Sequence, residues 1–240
     1  KLSNALEDFI IWGGYPRIAI ASGQEIKQEI LKNIYNTYFL RDIKDTLGLV
    51  DDFALSKLIE LLSAGAGQLM DYNELSKSSG YDFKTLKKYL NILEKTFICQ
   101  PIRPYYQNKR TEIVKNPKIY FFDTGLRNYA LRDFHRLNGR SDKGSLMENF
   151  IYNQLSKSGI KANFWRNKNK AEVDFVVRLE GQIIPIEIKS GDKEYVPNGL
   201  KTFIKSYQPE SAYVLNRSII QDIKFERCNV KFRPLWFPVV

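Results

Sequence analysis

The segment AEVDFVVRLEGQIIPIEIKSG, residues 171–191, constrains the fold of this chain more than any other. Its apolar residues alternate with polar ones, which predicts two β-strands. Between them, Glu180 and Gly181 predict a two-residue hairpin turn. The segment nevertheless carries charged residues among the apolar ones, and the turn determines where those charges lie.

The register set by this turn separates apolar residues from charges. One face carries three apolar pairs: Val173 with Ile188, Phe175 with Ile186, and Val177 with Ile184. On the other face, Asp174 lies opposite Glu187 and Glu172 lies opposite Lys189. A shift by one residue would bury the charges, so we expect this register, with the apolar face packed on a helix layer.

Two carboxylates that face each other across a hairpin require a positive charge. Opposed Cβ atoms are about 4.5 to 5.5 Å apart, so Asp174 and Glu187 predict a bound cation, and hard oxygen ligands favour Mg²⁺ or Mn²⁺ over zinc. Lys189 can hold or deprotonate an attacking water and offset charge on a phosphate. Glu172 either orients Lys189 or forms a simple cross-strand ion pair. The alternative for the whole set is a solvated strand face with one compensating lysine.

The last third of the chain predicts a mixed α/β domain around this hairpin, with a central mixed sheet flanked by helices. The predicted helices are 145–158 and 198–207; the predicted strands are 162–166, 171–179, 182–190 and 211–216, followed by the apolar run LWFPVV. Upstream, the strand KIYFF leads into Asp123 and Thr124, which can cap a following helix.

The first half of the chain predicts helices, at 24–47, 52–64, 73–80 and 82–96, with Asp82 as an N-cap of the last one. The strand-like FICQPIRPYY follows, and this order is that of a winged helix-turn-helix. Lys84, Lys87 and Lys88 can lie along DNA phosphates from the second helix of the pair. The alternative is a solvated face on a domain used for protein packing.

Composition restricts partners and compartment. The formal net charge of +10 and the pI near 9.4 favour polyanionic partners such as DNA. No apolar run of about eighteen residues and no signal peptide are recognisable, so we expect a cytoplasmic protein without a membrane partner. Cys99 and Cys228 are too few for a disulfide framework or zinc site and are expected to be reduced. The single His135 is expected at the surface.

The chain resembles a known family. Asp174 followed by Glu187-Ile188-Lys189 resembles the D…ExK core of the PD-(D/E)XK nuclease superfamily. Other segments resemble, in order, the C-terminal region of predicted prokaryotic AAA+ ATPases of the archaeal-ATPase type. These segments are GGYP (13–16), YFLRDI (38–43), PKIYFFDTGLRN (117–128), ENF (148–150), WR and EVDFVV (165–177) and PIEIKSG (185–191).

The resemblance implies three parts: a helical segment from the ATPase domain at 1–50, a winged helix-turn-helix at 51–115, and a restriction-endonuclease-like α/β domain of unknown function at 116–240. It also puts Glu148 where related nucleases carry a further acidic residue, which predicts a third metal ligand. The alternative for Glu148 is a capping box with Ser145.

The resemblance places any ATP site in a P-loop domain upstream of this chain. The nearest match to a Walker A motif, GRSDKGS, has Ser145 where the motif requires lysine. The chain also begins with Lys1 rather than methionine, which suggests a fragment of a longer protein. The expected partners are therefore DNA and the upstream ATPase domain, and an oligomer is compatible with the sequence.

The first functional hypothesis is a Mg²⁺- or Mn²⁺-dependent DNA phosphodiesterase, with Asp174, Glu187 and Glu148 as metal ligands and Lys189 as the catalytic lysine. Basic residues before the acidic strand either guide the DNA backbone or form a solvated turn: Lys161, Arg166, Lys168 and Lys170. The second hypothesis is a non-catalytic DNA-binding or regulatory region of an ATPase that retains a nuclease fold. The third is protein interaction through the winged helix.

Overall fold

A computed structural model describes residues 2–48, 53–106, 108–192 and 194–237 of the 240-residue chain. Its contacts divide the chain into two compact units, Lys1–Pro101 with Ile119–Asn149, and Ile102–Lys118 with Phe150–Val240. The domain limits predicted after residues 50 and 115 stay predictions.

Helices dominate the part of the chain up to residue 139. Its elements are α1 (Leu2–Trp12), α2 (Pro16–Ile20), α3 (Gln24–Ile34), a π-helical segment (Tyr35–Asp42), α4 (Ile43–Leu47), α5 (Phe53–Ala64), α6 (Tyr72–Ser79), α7 (Phe83–Lys95), β1 (Cys99–Ile102), α8 (Lys109–Val114), β2 (Lys118–Phe121), α9 (Thr124–Leu131) and a 3₁₀ turn (Leu137–Gly139). The predicted helix over 24–47 is thus one helical run with a π-helical middle. Asp52, predicted to begin the next helix, lies outside the described residues.

The remaining elements form the predicted mixed sheet and its helices. They are α10 (Lys143–Lys157), β3 (Ala162–Arg166), β4 (Glu172–Leu179), β5 (Gln182–Ile188), α11 (Asn198–Tyr207), β6 (Ser211–Asn216), β7 (Gln221–Phe225) and β8 (Cys228–Pro234). The last three residues of the predicted apolar run LWFPVV lie outside the described residues. The mixed α/β class is confirmed, but sequence reasoning missed the β7–β8 hairpin.

A helix-turn-helix lies in the first unit. Its helices α6 and α7 are joined through Gly80, whose φ of 83° ends α6 in the left-handed region. Asp82 then caps α7, because its carboxylate accepts hydrogen bonds from the amides of Lys84, at 2.9 Å, and Thr85, at 3.1 Å. A two-stranded sheet of β1 and β2 follows. The predicted cap is confirmed, and three helices are followed by a strand as expected, although α8 lies between β1 and β2. The assignment as a winged helix-turn-helix stays a prediction.

A buried ionic network stabilises the first unit. The guanidinium of Arg127 is 1% exposed, pairs with Asp142 and donates to the Ser63 carbonyl at 2.9 Å. Arg140 binds the same Asp142 with two bonds of 2.8 Å and donates to the Asp133 carbonyl at 2.6 Å. Burial opposes ionisation of Asp142, but hydrogen bonds from the two arginines outweigh it and hold its pKa far below the ordinary value. The network is therefore tightly paired.

The second unit contains a six-stranded sheet in the order β3-β4-β5-β6-β8-β7. β3, β4 and β5 are antiparallel, β5, β6 and β8 are parallel, and β7 is antiparallel to β8. Helix α11 covers part of this sheet, since its Leu200 and Phe203 belong to the same buried cluster as Val176 and Val214 of the strands. The predicted mixed sheet and its packing on a helix are thus both present.

The predicted hairpin register is confirmed from the turn as far as Phe175 and Ile186. The predicted pairs Val173 with Ile188, Asp174 with Glu187 and Glu172 with Lys189 lie beyond that point and are not among the paired residues of β4 and β5. Val177 pairs with Ile184 and Phe175 with Ile186. Glu180 and Gly181 form the turn with positive φ angles of 51° and 82°, as a two-residue hairpin turn requires. The chain around this turn therefore adopts the pairing expected from local turn chemistry alone.

A β-bulge in β4 changes which of its side chains share a face, so the predicted division into an apolar and a charged face is wrong at that point. Asn163 pairs with Val176 but Trp165 pairs with Val173, so β4 advances one residue more than β3. The extra residue is a β-bulge around Asp174, and a bulge interrupts the alternation of side chains. Val173 and Val176 accordingly lie in the same core cluster, although a regular strand would place them on opposite faces. The single unbroken apolar face that we predicted therefore ends at Asp174.

Candidate functional site

The predicted acidic residues lie at the end of the hairpin that is farther from its turn, beyond the last paired residues of β4 and β5. The β4–β5 ladder runs from the turn to the pair Phe175–Ile186. Beyond that pair, β4 is hydrogen-bonded to β3 and β5 to β6. Glu172 and Asp174 belong to this end of β4, and Glu187 to this end of β5. The tertiary structure therefore brings the acidic residues to one region of the second unit.

Asp174 is held by the backbone of the neighbouring strand. Its Oδ2 accepts a hydrogen bond of 2.7 Å from the amide of Ile188. Burial raises the pKa of Asp174 above its ordinary value, although the charges of Lys118 and Lys189 and the Ile188 hydrogen bond act in the opposite direction. Asp174 is thus an oriented carboxylate that is incompletely compensated by its surroundings.

Glu187 and Lys189 form a close ion pair. Lys189 Nζ lies 2.6 Å from Glu187 Oε1; the glutamate side chain is 7% exposed and the lysine side chain 37%. The backbone of Lys189 is fixed by a 2.7 Å bond from its amide to the Leu215 carbonyl. Burial lowers the pKa of Lys189, but Glu187 and Asp174 outweigh burial and raise it. Lys189 is therefore a fixed cation with access to solvent.

Glu172 has other partners than the predicted Lys189. Its Oε2 accepts from Arg166 Nη1 at 3.3 Å, across the β3–β4 pair, and its Oε1 lies 2.5 Å from Lys118 Nζ. Lys118 is 3% exposed and begins β2, more than fifty residues away in the chain. Sequence reasoning missed Lys118; the only signal was a charged residue at the start of the buried strand KIYFF.

A glycine allows α11 to approach this end of β4. A Cβ atom placed on Gly199 would lie 1.9 Å from the carbonyl oxygen of Glu172, far inside van der Waals contact. Only glycine therefore fits at this position without a shift of the helix or the strand. Trp165 of β3 is buried and packs edge-to-face on Phe203 of α11.

Glu148 lies on α10 and belongs to the first unit. The helix begins at Lys143, two residues before Ser145, so the capping-box alternative is wrong. Glu148 Oε2 instead accepts a 2.9 Å hydrogen bond from the hydroxyl of Tyr120. The predicted role of Glu148 as a metal ligand stays a prediction.

The carboxylates of this region suit an ion such as Mg²⁺ that keeps part of its water shell, but not a fully protein-bound ion. Among the described residues, no three His, Cys, Asp or Glu side chains are grouped so that they could hold a metal. Asp174 and Glu187 nevertheless offer hard carboxylate oxygens on adjacent strands. Mg²⁺ is commonly held by one or two carboxylates, with water and substrate phosphate completing its shell. Two carboxylates therefore fit such an ion, but not a closed structural site.

The predicted DNA-binding residues separate into exposed and engaged groups. Five of them have exposed side chains, one just before β3, two in the turn before β4 and two on α7: Lys161, Lys168, Lys170, Lys84 and Lys88. Lys87 is also exposed, and its Nζ lies 4.4 Å from the centre of the Phe83 ring. Arg166 is different, because it is half-buried in the ion pair with Glu172. The lysines, rather than Arg166, are therefore available to a polyanion.

The remaining sequence predictions concern residues without an assigned role. Cys99 and Cys228 are buried free thiols, and His135 is exposed beside Asp133, as predicted. Within the described ranges, no helix has the length and the apolar character that crossing a membrane requires.

Comparison with known sequences gives the family. The model of a family described as "Domain of unknown function (DUF8612)" matches residues 3–158, more than half of the chain, so the chain belongs to this family. A second model, "Domain of unknown function (DUF4143)", matches residues 143–232, the region that carries the acidic hairpin.

Curated relatives occur in bacteria and in an archaeon, and each is named only as an uncharacterized protein. The chain is 25% identical over 182 residues to one from Haemophilus influenzae, covering 74% of this chain and 44% of that protein. It is 24% identical over 217 residues to one from Mycobacterium tuberculosis, covering 86% and 48%. A relative from Methanocaldococcus jannaschii is 23% identical over 248 residues, covering 96% and 49%. The chain thus spans about half the length of these relatives.

Proposed function

We propose that this chain is a divalent-metal-dependent DNA phosphodiesterase region of a longer ATPase. The observation that supports the proposal most is the cluster of Asp174, Glu187 and Lys189, in which Lys189 is bound to Glu187 at 2.6 Å and keeps a partly exposed side chain. Carboxylates combined with a solvent-accessible cation suit a reaction at a phosphodiester, because negative charge grows on the phosphate oxygens during attack by water.

Each residue has a distinct role in this proposal. Asp174 and Glu187 would hold Mg²⁺ or Mn²⁺, which supplies Lewis-acid charge to a phosphate oxygen. The hydrogen bond from the Ile188 amide, which fixes the Asp174 carboxylate, supports this role. Lys189 donates a hydrogen bond to a phosphate oxygen or to the attacking water and offsets the developing charge.

The basic surface supports a DNA substrate in this proposal. The chain carries a net charge of +10, and Lys161, Lys168 and Lys170 lie exposed near the acidic strand in sequence. Exposed lysines attract a polyanionic backbone without selecting a sequence. We therefore propose binding through phosphates. An ATPase domain upstream would be the natural partner, in line with relatives twice as long as this chain.

The test is a metal-dependent cleavage assay on supercoiled, linear and branched DNA. We expect the purified chain to nick DNA with Mn²⁺ and to lose this activity in Asp174→Ala and in Lys189→Ala. Lys205→Ala, which changes an exposed lysine of α11, is the matched control and should remain active. Equal cleavage by wild type and both site variants would indicate a contaminating nuclease and refute the proposal.

A second candidate function, non-catalytic DNA binding, is supported by a separate observation. Lys84, Lys87 and Lys88 are exposed on α7, the second helix of the helix-turn-helix. Such a helix can lie against DNA and contact phosphates. On this candidate, the ionic cluster of the second unit serves packing or regulation of the ATPase.

Salt dependence tests the second candidate. We expect DNA affinity, measured by fluorescence anisotropy, to fall steeply between about 50 and about 200 mM salt. Lys84→Ala and Lys88→Ala should each reduce the salt slope by about one, whereas Lys57→Ala, on an exposed position of α5, should leave it unchanged. Affinity that does not depend on salt would exclude phosphate contacts and would favour protein interaction.

A further inference from the structure

Lys118 is placed unlike a surface lysine. Its side chain is 3% exposed and its Nζ lies 2.5 Å from Glu172 Oε1. The same Nζ lies 5.5 Å from the centre of the Phe164 ring. A buried ammonium group is costly unless carboxylates compensate it. The position of Lys118 is therefore tied to the acidic residues of the candidate site.

The two lysines near the acidic residues differ in access. Lys189 is 37% exposed, so its ammonium group can reach a ligand from solvent. Lys118 is almost fully buried, so it can influence a ligand only through its charge and through the carboxylates beside it. Lys118 is thus a positioning residue rather than a catalytic one.

Glu172 is occupied on both oxygens. Oε1 is paired with Lys118 at 2.5 Å, and Oε2 with Arg166 at 3.3 Å. A carboxylate with two cationic partners has little tendency to bind a further cation. Asp174 and Glu187, by contrast, both act electrostatically on the partly exposed Lys189, whose Nζ lies 2.6 Å from Glu187 Oε1.

We propose that Lys118 is a built-in cation that keeps Glu172 out of the metal-binding set, so that the site takes a single divalent ion on Asp174 and Glu187. The inference rests on the proposed function, because it concerns the metal that this function requires. Its physical consequence is that the Lys118 charge opposes a second cation nearby and weakens metal binding. Without that charge, Glu172 becomes a third carboxylate ligand.

The experiment measures Mn²⁺ binding to the whole chain by electron paramagnetic resonance and calorimetry, independently of any cleavage. We expect one Mn²⁺ in the wild type. Lys118→Met, which keeps the side-chain length and removes the charge, should bind Mn²⁺ about tenfold more tightly or bind a second ion. Glu172→Gln should bind about tenfold more weakly, because it leaves the positive charge unopposed. The double variant restores the net charge of the pair and should lie close to the wild type.

Two further variants separate charge from structure. Lys118→Arg keeps the positive charge and should bind Mn²⁺ like the wild type. Lys205→Met removes an exposed lysine of the same unit and should change nothing. If Lys118→Met fails to fold, comparing the double variant with Glu172→Gln measures the effect of the Lys118 charge alone, because the double variant leaves no unmatched charge in the pair. Mn²⁺ should then bind more tightly to the double variant than to Glu172→Gln.

The outcomes separate this inference from the proposed function. Equal or weaker Mn²⁺ binding in folded Lys118→Met overturns the inference and leaves the proposed function standing. Mn²⁺ binding in Lys118→Met but not in the wild type supports the inference and overturns the proposed function. Absence of Mn²⁺ binding in every variant overturns both.

Discussion

Two ionic clusters in the described part of the chain, one in each unit, combine basic residues with a carboxylate but have opposite electrostatic results. In the first unit, Arg127 and Arg140 surround Asp142, and the pKa of that carboxyl lies far below its ordinary value because their hydrogen bonds outweigh burial. In the second unit, burial raises the pKa of Asp174 in spite of two nearby lysines. One acid is stabilised in its charged form by its surroundings, and the other is not.

We propose that this difference separates a cluster that serves stability from one that serves a ligand. The guanidinium groups of the first cluster are each 1% exposed and donate to backbone carbonyls as well as to carboxylates. The second cluster keeps a partly exposed lysine and a carboxylate whose pKa is raised by burial, features that occur preferentially at functional sites. Four predictions test this contrast.

The largest effect is expected at Asp174. Asp174→Asn preserves the shape of the side chain and removes the charge that would hold the metal. We expect Mn²⁺-dependent cleavage to fall about a thousandfold, or about 4 kcal/mol of transition-state stabilisation. Thermal unfolding should change little, since a neutral amide is easier to bury than a carboxylate. If Asp174→Asn lost much stability but kept full activity, the second cluster would serve stability rather than a ligand.

Arg127→Met should lower the stability of the fold and leave the Mn²⁺ affinity unchanged, the opposite of Asp174→Asn. It leaves Asp142 with one guanidinium partner and removes the hydrogen bond to the Ser63 carbonyl. Breaking a buried ion pair from one side costs about 3 kcal/mol, which denaturant unfolding would measure. The exposed Arg17→Met in α2 is the control and should cost well under about 1 kcal/mol. Mn²⁺ affinity of the folded fraction should be unchanged.

Gly199→Ala tests whether the second cluster depends on close packing. The added methyl group would collide with the Glu172 carbonyl, so α11 or β4 must shift. We expect a loss of about 2 kcal/mol in unfolding free energy. Gly144→Ala, where the added Cβ meets open space, is the matched control and should be neutral or slightly stabilising. Equal stability of both variants would show that this contact is loose.

Acid should weaken the first cluster through Asp142. Its pKa is depressed in the folded chain, so its stabilising contribution is fully present above the unfolded pKa, near 4, and is lost as the pH falls toward the folded value. At about pH 3 we expect a loss of about 1 kcal/mol from this group. Asp142→Asn should be less stable than wild type at neutral pH, and the gap should narrow in acid. A constant gap would refute this linkage.

The predictions from sequence succeeded where the responsible interactions are local. The hairpin register followed from Glu180 and Gly181, because a two-residue turn fixes the pairing of the residues beside it. The caps at Asp82 and Asp123 followed from residues that bond to amides two or three positions ahead. The β7–β8 hairpin was missed although Ile223 and Phe225 alternate with polar residues, a pattern that predicts a β-strand.

The errors arose where residues distant in sequence compete for the same partner. Glu172 was expected to face Lys189 but pairs with Lys118 and Arg166, since the bulge in β4 changes where its side chains point. The capping-box alternative for Glu148 was wrong because α10 begins earlier than the pattern indicated.

The amino-acid sequence by itself determined most helices and strands, the hairpin register next to the turn and the identity of the acidic residues, because turns, caps and alternation act over a few neighbouring residues. Only the tertiary structure decided which cation compensates which carboxylate. Lys118 meets Glu172, and Arg127 meets Ser63 and Asp142, through packing of elements that are far apart in the chain. Charge pairing depends on distance and burial, and neither quantity is encoded in local sequence patterns.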